Sequence, residues 1–488
     1  NNDNAVSIVA GEQHTCALLQ DGGVSCWGWN YGGQLGIGSE ISQSSPQETT
    51  LTSNGSSAIS LAAGSYHTCA ILQDGNVHCW GLNSNGALGD GTIVDRNASQ
   101  VSLTVDLGSG RTATKISAGM QHTCAHLDND TVSCWGWNDD SQIGDGTTID
   151  RLNPVNIYTG YFRTVRDISV GWTHTCVLLD NGGIKCWGDD SAGQIGIGST
   201  SGVDVSSPEY SSIKSTRTIE SMGLGEGHTC FILDTNELKC WGTNGNGQLG
   251  NGATTSSLSA INPNLPASAI PISVTAGPRN GGYIYSSGST CVLTTDDGVY
   301  CWGGGVVEYD ENGNSHTTPT KIPQSDDFVE LVQASYTACA INKSSAVFCW
   351  GSNSNYLLAS DNSSNSSYVP VLIEMDNSTM YASNIYAGAS GICAKLLNDS
   401  VACWGENYNN ELTINWTYGN PHNYLNSSVL TPTLIEGFGN NYDIAEMALG
   451  ADHSSDWLLE SSIASAVDAL MSRRKATAML LSILFLLQ

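Results

Sequence analysis

The chain has 488 residues, with 17 Lys or Arg against 46 Asp or Glu, for a net charge of −29. Charged residues are only 13% of the total, about half of the roughly 25% typical of soluble proteins, so the acidity reflects missing cations. That shortage excludes a nucleic-acid footprint and a polybasic membrane contact, because no sufficient run of Lys or Arg exists.

Sixteen cysteines divide the chain. They form eight pairs, each ten positions apart: Cys16 and Cys26, Cys69 and Cys79, Cys124 and Cys134, Cys176 and Cys186, Cys230 and Cys240, Cys291 and Cys301, Cys339 and Cys349, Cys393 and Cys403. Successive pairs recur at about fifty residues, the period of a solenoid or propeller. Their even number points to disulfides and an oxidising compartment. Paired thiols at this spacing do not match the Cys-x-x-Cys knuckle of a zinc site, so no metal is assigned to them.

Each repeat reads as strand, turn, strand. In the first, a three-residue turn Gln20-Asp21-Gly22 sets Leu18 opposite Val24, Ala17 opposite Ser25 and Cys16 opposite Cys26. The cysteines then form a non-hydrogen-bonded pair with Cα atoms about 4.5 Å apart, within disulfide reach. The turn needs a left-handed residue at its end. That position is Gly22, Gly75, Asp130, Gly182, Asn236, Asp297, Ser345 and Asp399, so only Ser345 departs from Gly, Asn or Asp. In the second repeat Ile59–Gly64 leads into His67–Leu72, then Asn76–Gly81 and a glycine-rich loop ending at Gly91. Short apolar and β-branched runs between such loops predict antiparallel strands.

The first five repeats carry His14, His67, His122, His174 and His228 two positions before the cysteine; Ser289, Thr337 and Gly391 replace them later. Cysteines that persist without the histidines are not co-ligands. The recurring ring is expected to hydrogen-bond a backbone carbonyl of the neighbouring strand. Eight of the 13 Trp are the Trp-Gly positions, Trp27 to Trp404, and read as core. Repeat six has an insertion at Gly277–Tyr285 and an altered exit loop, Glu308–His316. That loop begins like a calcium loop at Asp310, Asn312 and Asn314, but Ser315 and Lys321 break the pattern. A ninth partial start follows at Ala448–Ser454.

The motif Ala63-Gly64-x-x-His67-Thr68, with Asp74-Gly75, Trp80-Gly81-x-Asn83 and Gly86-x-Leu88-Gly89, resembles the regulator of chromosome condensation repeat. The resemblance covers about residues 5–455 and implies a single all-β propeller. Seven blades is the family norm, whereas eight hairpins favour eight. The cysteine pairs are more similar to a secreted prokaryotic-type branch, which includes propellers that only bind and dock a partner on one loop face.

Function in a repeat protein sits where repeats differ. One variable set is the pair inside Gly-x-x-His, including Glu12, Gln13, Tyr66, Met120, Trp172 and Glu226. Another follows Trp-Gly, where Trp29 and Trp137 stand out. Aromatic residues there are the expected anchors of an interface. The neighbouring carboxylates Asp139-Asp140 and Asp189-Asp190 leave a cation site open, against the simpler reading of solvated turns. No Gly-x-Ser-x-Gly, His-Glu-x-x-His or P-loop occurs, so no catalytic residue, enzyme activity or cofactor is expected.

These features predict an extracellular or cell-surface, monomeric binding propeller for a protein or surface-glycan partner. The alternative is a structural or adhesive envelope component without a discrete ligand. Nucleotide exchange on a small GTPase, implied by the nuclear relatives, conflicts with the disulfides and acidity. The propeller is expected over residues 1–460. Residues 461–488 read as a helical and apolar tail, with Arg473-Arg474-Lys475 before twelve apolar positions, too few to span a bilayer. The tail fits a truncated membrane anchor or a gene-assembly artefact, and only through it would the chain meet a membrane.

Overall fold

A computed structural model describes residues 5–406 with interruptions, the longer ones at 99–103, 199–203, 212–218, 278–287, 308–314 and 360–365, together with Ser428–Leu434 and Glu446–Ala448. The fold is an eight-bladed β-propeller. The tail predicted at 461–488 lies outside the described residues.

Blade 1 shows the plan. Its strands Ala5–Ala10, His14–Leu19, Val24–Gly28 and Gln43–Glu48 pair antiparallel in chain order. First strands touch in sequence from blade 1 to blade 4 and from blade 5 to blade 8, which places them around the axis. The fourth strands are therefore outermost. Blade 2 has three strands, and a single bridge between Gly81 and Arg96 stands where its fourth would be.

The hairpin register is the expected one. Cys16 faces Cys26, Ala17 faces Ser25 and Leu18 faces Val24. The turn closes with Leu19 N–H donating to the Gly23 carbonyl at 2.8 Å and Gly22 N–H to the Leu19 carbonyl at 2.9 Å. All eight predicted disulfides are present. Cys16 is bonded to Cys26, Cys69 to Cys79, Cys124 to Cys134 and Cys176 to Cys186. In the later blades Cys230 is bonded to Cys240, Cys291 to Cys301, Cys339 to Cys349 and Cys393 to Cys403. Their Cα separations of 4.0–4.1 Å are those of close non-hydrogen-bonded pairs. Each described turn-closing residue has positive φ: Gly22, Gly75, Asp130, Gly182, Asn236 and also Ser345, at 68°. Asp297 and Asp399 lie outside the described residues.

The eight Trp-Gly indoles are buried between blades. Their N–H groups explain why the motif recurs. Trp80 Nε1 donates to the Gln34 carbonyl of blade 1 at 2.9 Å, and Thr68 Oγ1 donates to the same oxygen at 3.0 Å. That hydroxyl proton is then committed, so Thr68 Oγ1 accepts from His14 Nε2 at 2.8 Å. The histidine partner is thus a threonine hydroxyl of the next blade, not the backbone carbonyl expected from sequence. A carbonyl was the simplest acceptor in view, whereas the hydroxyl comes from a strand about fifty residues away. Gly36 completes the joint. A Cβ there would sit 2.7 Å from Trp80 Nε1, so only glycine lets the loop reach the indole. The joint repeats at His67–Thr123, His122–Thr175 and His228–Thr290.

Ring closure uses both ends of the propeller. Glu446–Ala448 pairs parallel with Ser7–Val9 of blade 1 and touches the first strand of blade 8. Ala448, the first residue of the expected ninth start, ends this closing strand, and residues 449–454 lie outside the described residues.

Candidate functional site

Two backbone constraints bring the variable positions together. The N–H after Trp-Gly donates to the carbonyl before the motif histidine: Trp29 to Gln13 at 2.8 Å, Leu82 to Tyr66 at 2.9 Å, Trp137 to Gln121 at 2.9 Å and Asp189 to Thr173 at 3.0 Å. The two variable sets are therefore adjacent loops on one face. The hairpin turns lie at the opposite ends of the same strands, on the other face.

Of the predicted binding residues, Gln13, Trp29, Tyr66, Met120 and Trp137 are described, and each is half-buried. Glu12, Trp172 and Glu226 lie outside the described residues. Trp29 and Tyr66 meet across the blade 1–blade 2 boundary, with ring centroids 5.3 Å apart and planes at 65°. Tyr31 completes the group at 5.6 Å and 77° from Trp29, and it is 73% exposed. Sequence reading passed over Tyr31 because it falls between the motif asparagine and the glycine-rich loop. A second aromatic residue two positions after Trp29 was the available signal. The outer loops of blades 1–3 add exposed Ile41, Ile93, Val94 and Ile149 to this side of the ring.

The exit loops are built on one buried amide. Asn83 Oδ1 accepts from Leu88 N–H at 3.0 Å, while Nδ2 donates to the Thr92 and Val94 carbonyls at 3.0 and 3.2 Å. Asn30, Asn138 and Asn244 do the same. Blade 4 has Asp190 instead. Its Oδ1 keeps the bond from Ile195 N–H at 3.0 Å, but a carboxylate has no N–H to give the loop. Burial, with Asp189 and Asp204 nearby, pushes the Asp190 carboxyl up to about 6. Burial and the charges of Asp189, Asp204 and Asp139 also raise Asp140. These carboxylates form an acidic zone between blades 3 and 4. Among the described residues, no three His, Cys, Asp or Glu side chains are grouped to hold a metal ion. Asp310, Asn312 and Asn314 lie outside the described residues.

The motif histidines are unsuited to proton transfer near neutrality. Burial lowers His14 and His122 to about 3 and His67, His174 and His228 to about 4, so each ring stays neutral. His14, His67, His122 and His228 act as uncharged donors between blades, whereas neither ring nitrogen of His174 has a hydrogen-bond partner among the described residues.

Residues 1–280 match the model of the RCC1-like domain. The ultraviolet-B receptor UVR8 of Arabidopsis thaliana is 31% identical over 245 residues, covering 50% of this chain and 54% of the receptor. The human E3 ubiquitin-protein ligase HERC2 is 29% identical over 254 residues, 51% of this chain but 5% of the ligase. The chain thus spans about half the length of the plant receptor and a small part of the ligase. Among solved structures, human WBSCR16 aligns with a TM-score of 0.55 at 18% identity, covering 75% of this chain and 96% of that one. Yeast RCC1 (Prp20), in its complex with Kap60, aligns with a TM-score of 0.53 at 19% identity, covering 72% and 83%. At these identities the structural likeness speaks to the fold alone.

Proposed function

The chain belongs to the RCC1-like domain family, and from that premise we propose that it is a non-catalytic binding propeller, acting outside the cell or at its surface, whose protein partner docks on the Gly-x-x-His face. The observation that carries this reading is the Trp29–Tyr31–Tyr66 cluster, presented to solvent by loops that the blade framework holds rigidly. Large rings add contact area at low conformational cost, which suits them as interface anchors. Exposed Ile41, Val94 and Ile149 extend the apolar area across blades 1–3. The motif histidines and cysteines are absorbed by blade joints and disulfides, which leaves them no catalytic part. Eight disulfides support an oxidising compartment. A chain with outer strands blunted by proline fits a monomer.

Cross-linking of the protein to its native partner, followed by mass spectrometric mapping, tests the site. Cross-links should concentrate on the Gly-x-x-His face, and Trp29→Ala with Tyr66→Ala should weaken capture at least tenfold without lowering the melting temperature. Capture unchanged by the double variant, or cross-links spread over all faces, would favour the structural or adhesive alternative.

A further inference from the structure

We propose that the Gly-x-x-His face recognises a cationic side chain, a Lys or Arg of its protein partner, in the aromatic corner formed by Trp29, Tyr31 and Tyr66. The inference rests on the docking face proposed above and names the chemistry of what docks there. The three rings come from two blades: Trp29 and Tyr31 from the exit loop of blade 1, Tyr66 from the Gly-x-x-His loop of blade 2. Both tyrosines stand steeply against the indole, at 77° and 65°, with centroids within 5.6 Å. Steeply inclined rings at this spacing form walls, not a flat stack. The faces of such walls carry negative charge density that attracts a cation, most strongly over Trp.

The electrostatics of the face point the same way. Asp139, Asp140, Asp189 and Asp204 lie in the exit loops of blades 3 and 4. The described ion pairs use other carboxylates, such as Asp90 with Arg96, Asp145 with Arg151 and Asp167 with Lys115. No described Lys or Arg pairs with these four. The protein as a whole carries −29. An uncompensated acidic zone on the same face as the aromatic corner steers cations to that face and discriminates against acidic partners. A neutral apolar partner would use the rings but gain nothing from the carboxylates. A membrane surface would be repelled wherever its lipids are anionic.

Fluorescence anisotropy with two short labelled peptides provides the test. One carries three lysines among apolar residues, and in the other these are glutamines. The full chain should bind the lysine peptide, with affinity falling steeply between about 0.05 and 0.5 M salt, and should bind the glutamine peptide at least about tenfold more weakly. Trp29→Leu with Tyr31→Leu keeps the apolar area but removes the π faces, and it should also cost about tenfold. Asp140→Asn with Asp189→Asn should slow association and flatten the salt dependence while leaving the corner intact. Equal binding of the two peptides overturns the inference, as does a lysine peptide insensitive to the leucine variant. If the leucine variant still loses its native partner while the lysine peptide never binds, the docking face stands and the cationic ligand falls. Loss of neither removes both.

Discussion

Asp190 shows how much one atom matters at the residue scale. Four blades place an amide at this position and use both its ends, and in blade 7 Asn353 likewise accepts from Leu358 N–H at 2.8 Å. Asp190 keeps the accepting end and loses the donating one. Its folded pKa, raised to about 6 by burial, lies above the unfolded value, so its stabilising contribution is complete at low pH and lost as pH rises through 6. Asp190→Asn should therefore raise the melting temperature at pH 7.5 and have little effect near pH 4. Calorimetry across that range checks it, and a variant less stable than the parent at pH 7.5 would contradict the assignment. Ser345 is the complementary case. It holds φ of 68° without the freedom of glycine, a cost of order 1 kcal/mol that the closed hairpin tolerates.

At the scale of elements, the blades are joined unequally. The joint of histidine, threonine and tryptophan is complete from blade 1 to blade 3, where His14, Thr68 and Trp80, then His67, Thr123 and Trp135, all find partners. Between blades 6 and 7 it fails at each position. Ser289 replaces the histidine, Ala338 replaces the threonine, and Trp350 Nε1 has no hydrogen-bond partner among the described residues. What remains are the polar ties of Gln333, whose Nε2 donates to Ser289 Oγ and whose Oε1 accepts from Thr275 Oγ1 at 3.3 Å. A buried donor left unsatisfied costs about 1–3 kcal/mol, so this seam should open first. Hydrogen exchange should show the amides of Thr337–Asn342 and Val347–Gly351 less protected than those of His122–Leu127 and Val132–Gly136. Equal protection would mean that apolar packing alone holds the ring. The disulfides do not remedy the seam. Cys291 with Cys301 and Cys339 with Cys349 each lie within one hairpin and tie no blade to another.

At the scale of the whole molecule, a ring exposes edges in two places, and the chain deals with each differently. The outermost strands carry Pro46, Pro154, Pro208, Pro319 and Pro370, which remove a donor from an edge that would otherwise invite another sheet. At the axis, the free edge of Ala5–Ala10 is paired by Glu446–Ala448. Truncation after Leu434 removes that pairing. It should lower the melting temperature and increase exchange at the amides of Ser7–Val9, while the disulfide hairpins stay oxidised. An unchanged melting temperature would show that blades 1 and 8 close the ring without the added strand.

Much of this was legible in the residues. Cysteine spacing, turn chemistry and Trp-Gly periodicity are local signals, and they determined the hairpins, their register, the disulfides and the propeller class. The two variable sets were also readable, because a departure from a repeat is visible without knowing where it lies. Only the tertiary structure decided the rest. Eight blades instead of seven, the threonine partners of four of the five motif histidines and the closing strand at Glu446–Ala448 depend on contacts between residues about fifty to several hundred positions apart. The same holds for the meeting of Trp29, Tyr31 and Tyr66. Two of those rings belong to one loop, but Tyr66 reaches them only because the next blade packs beside it.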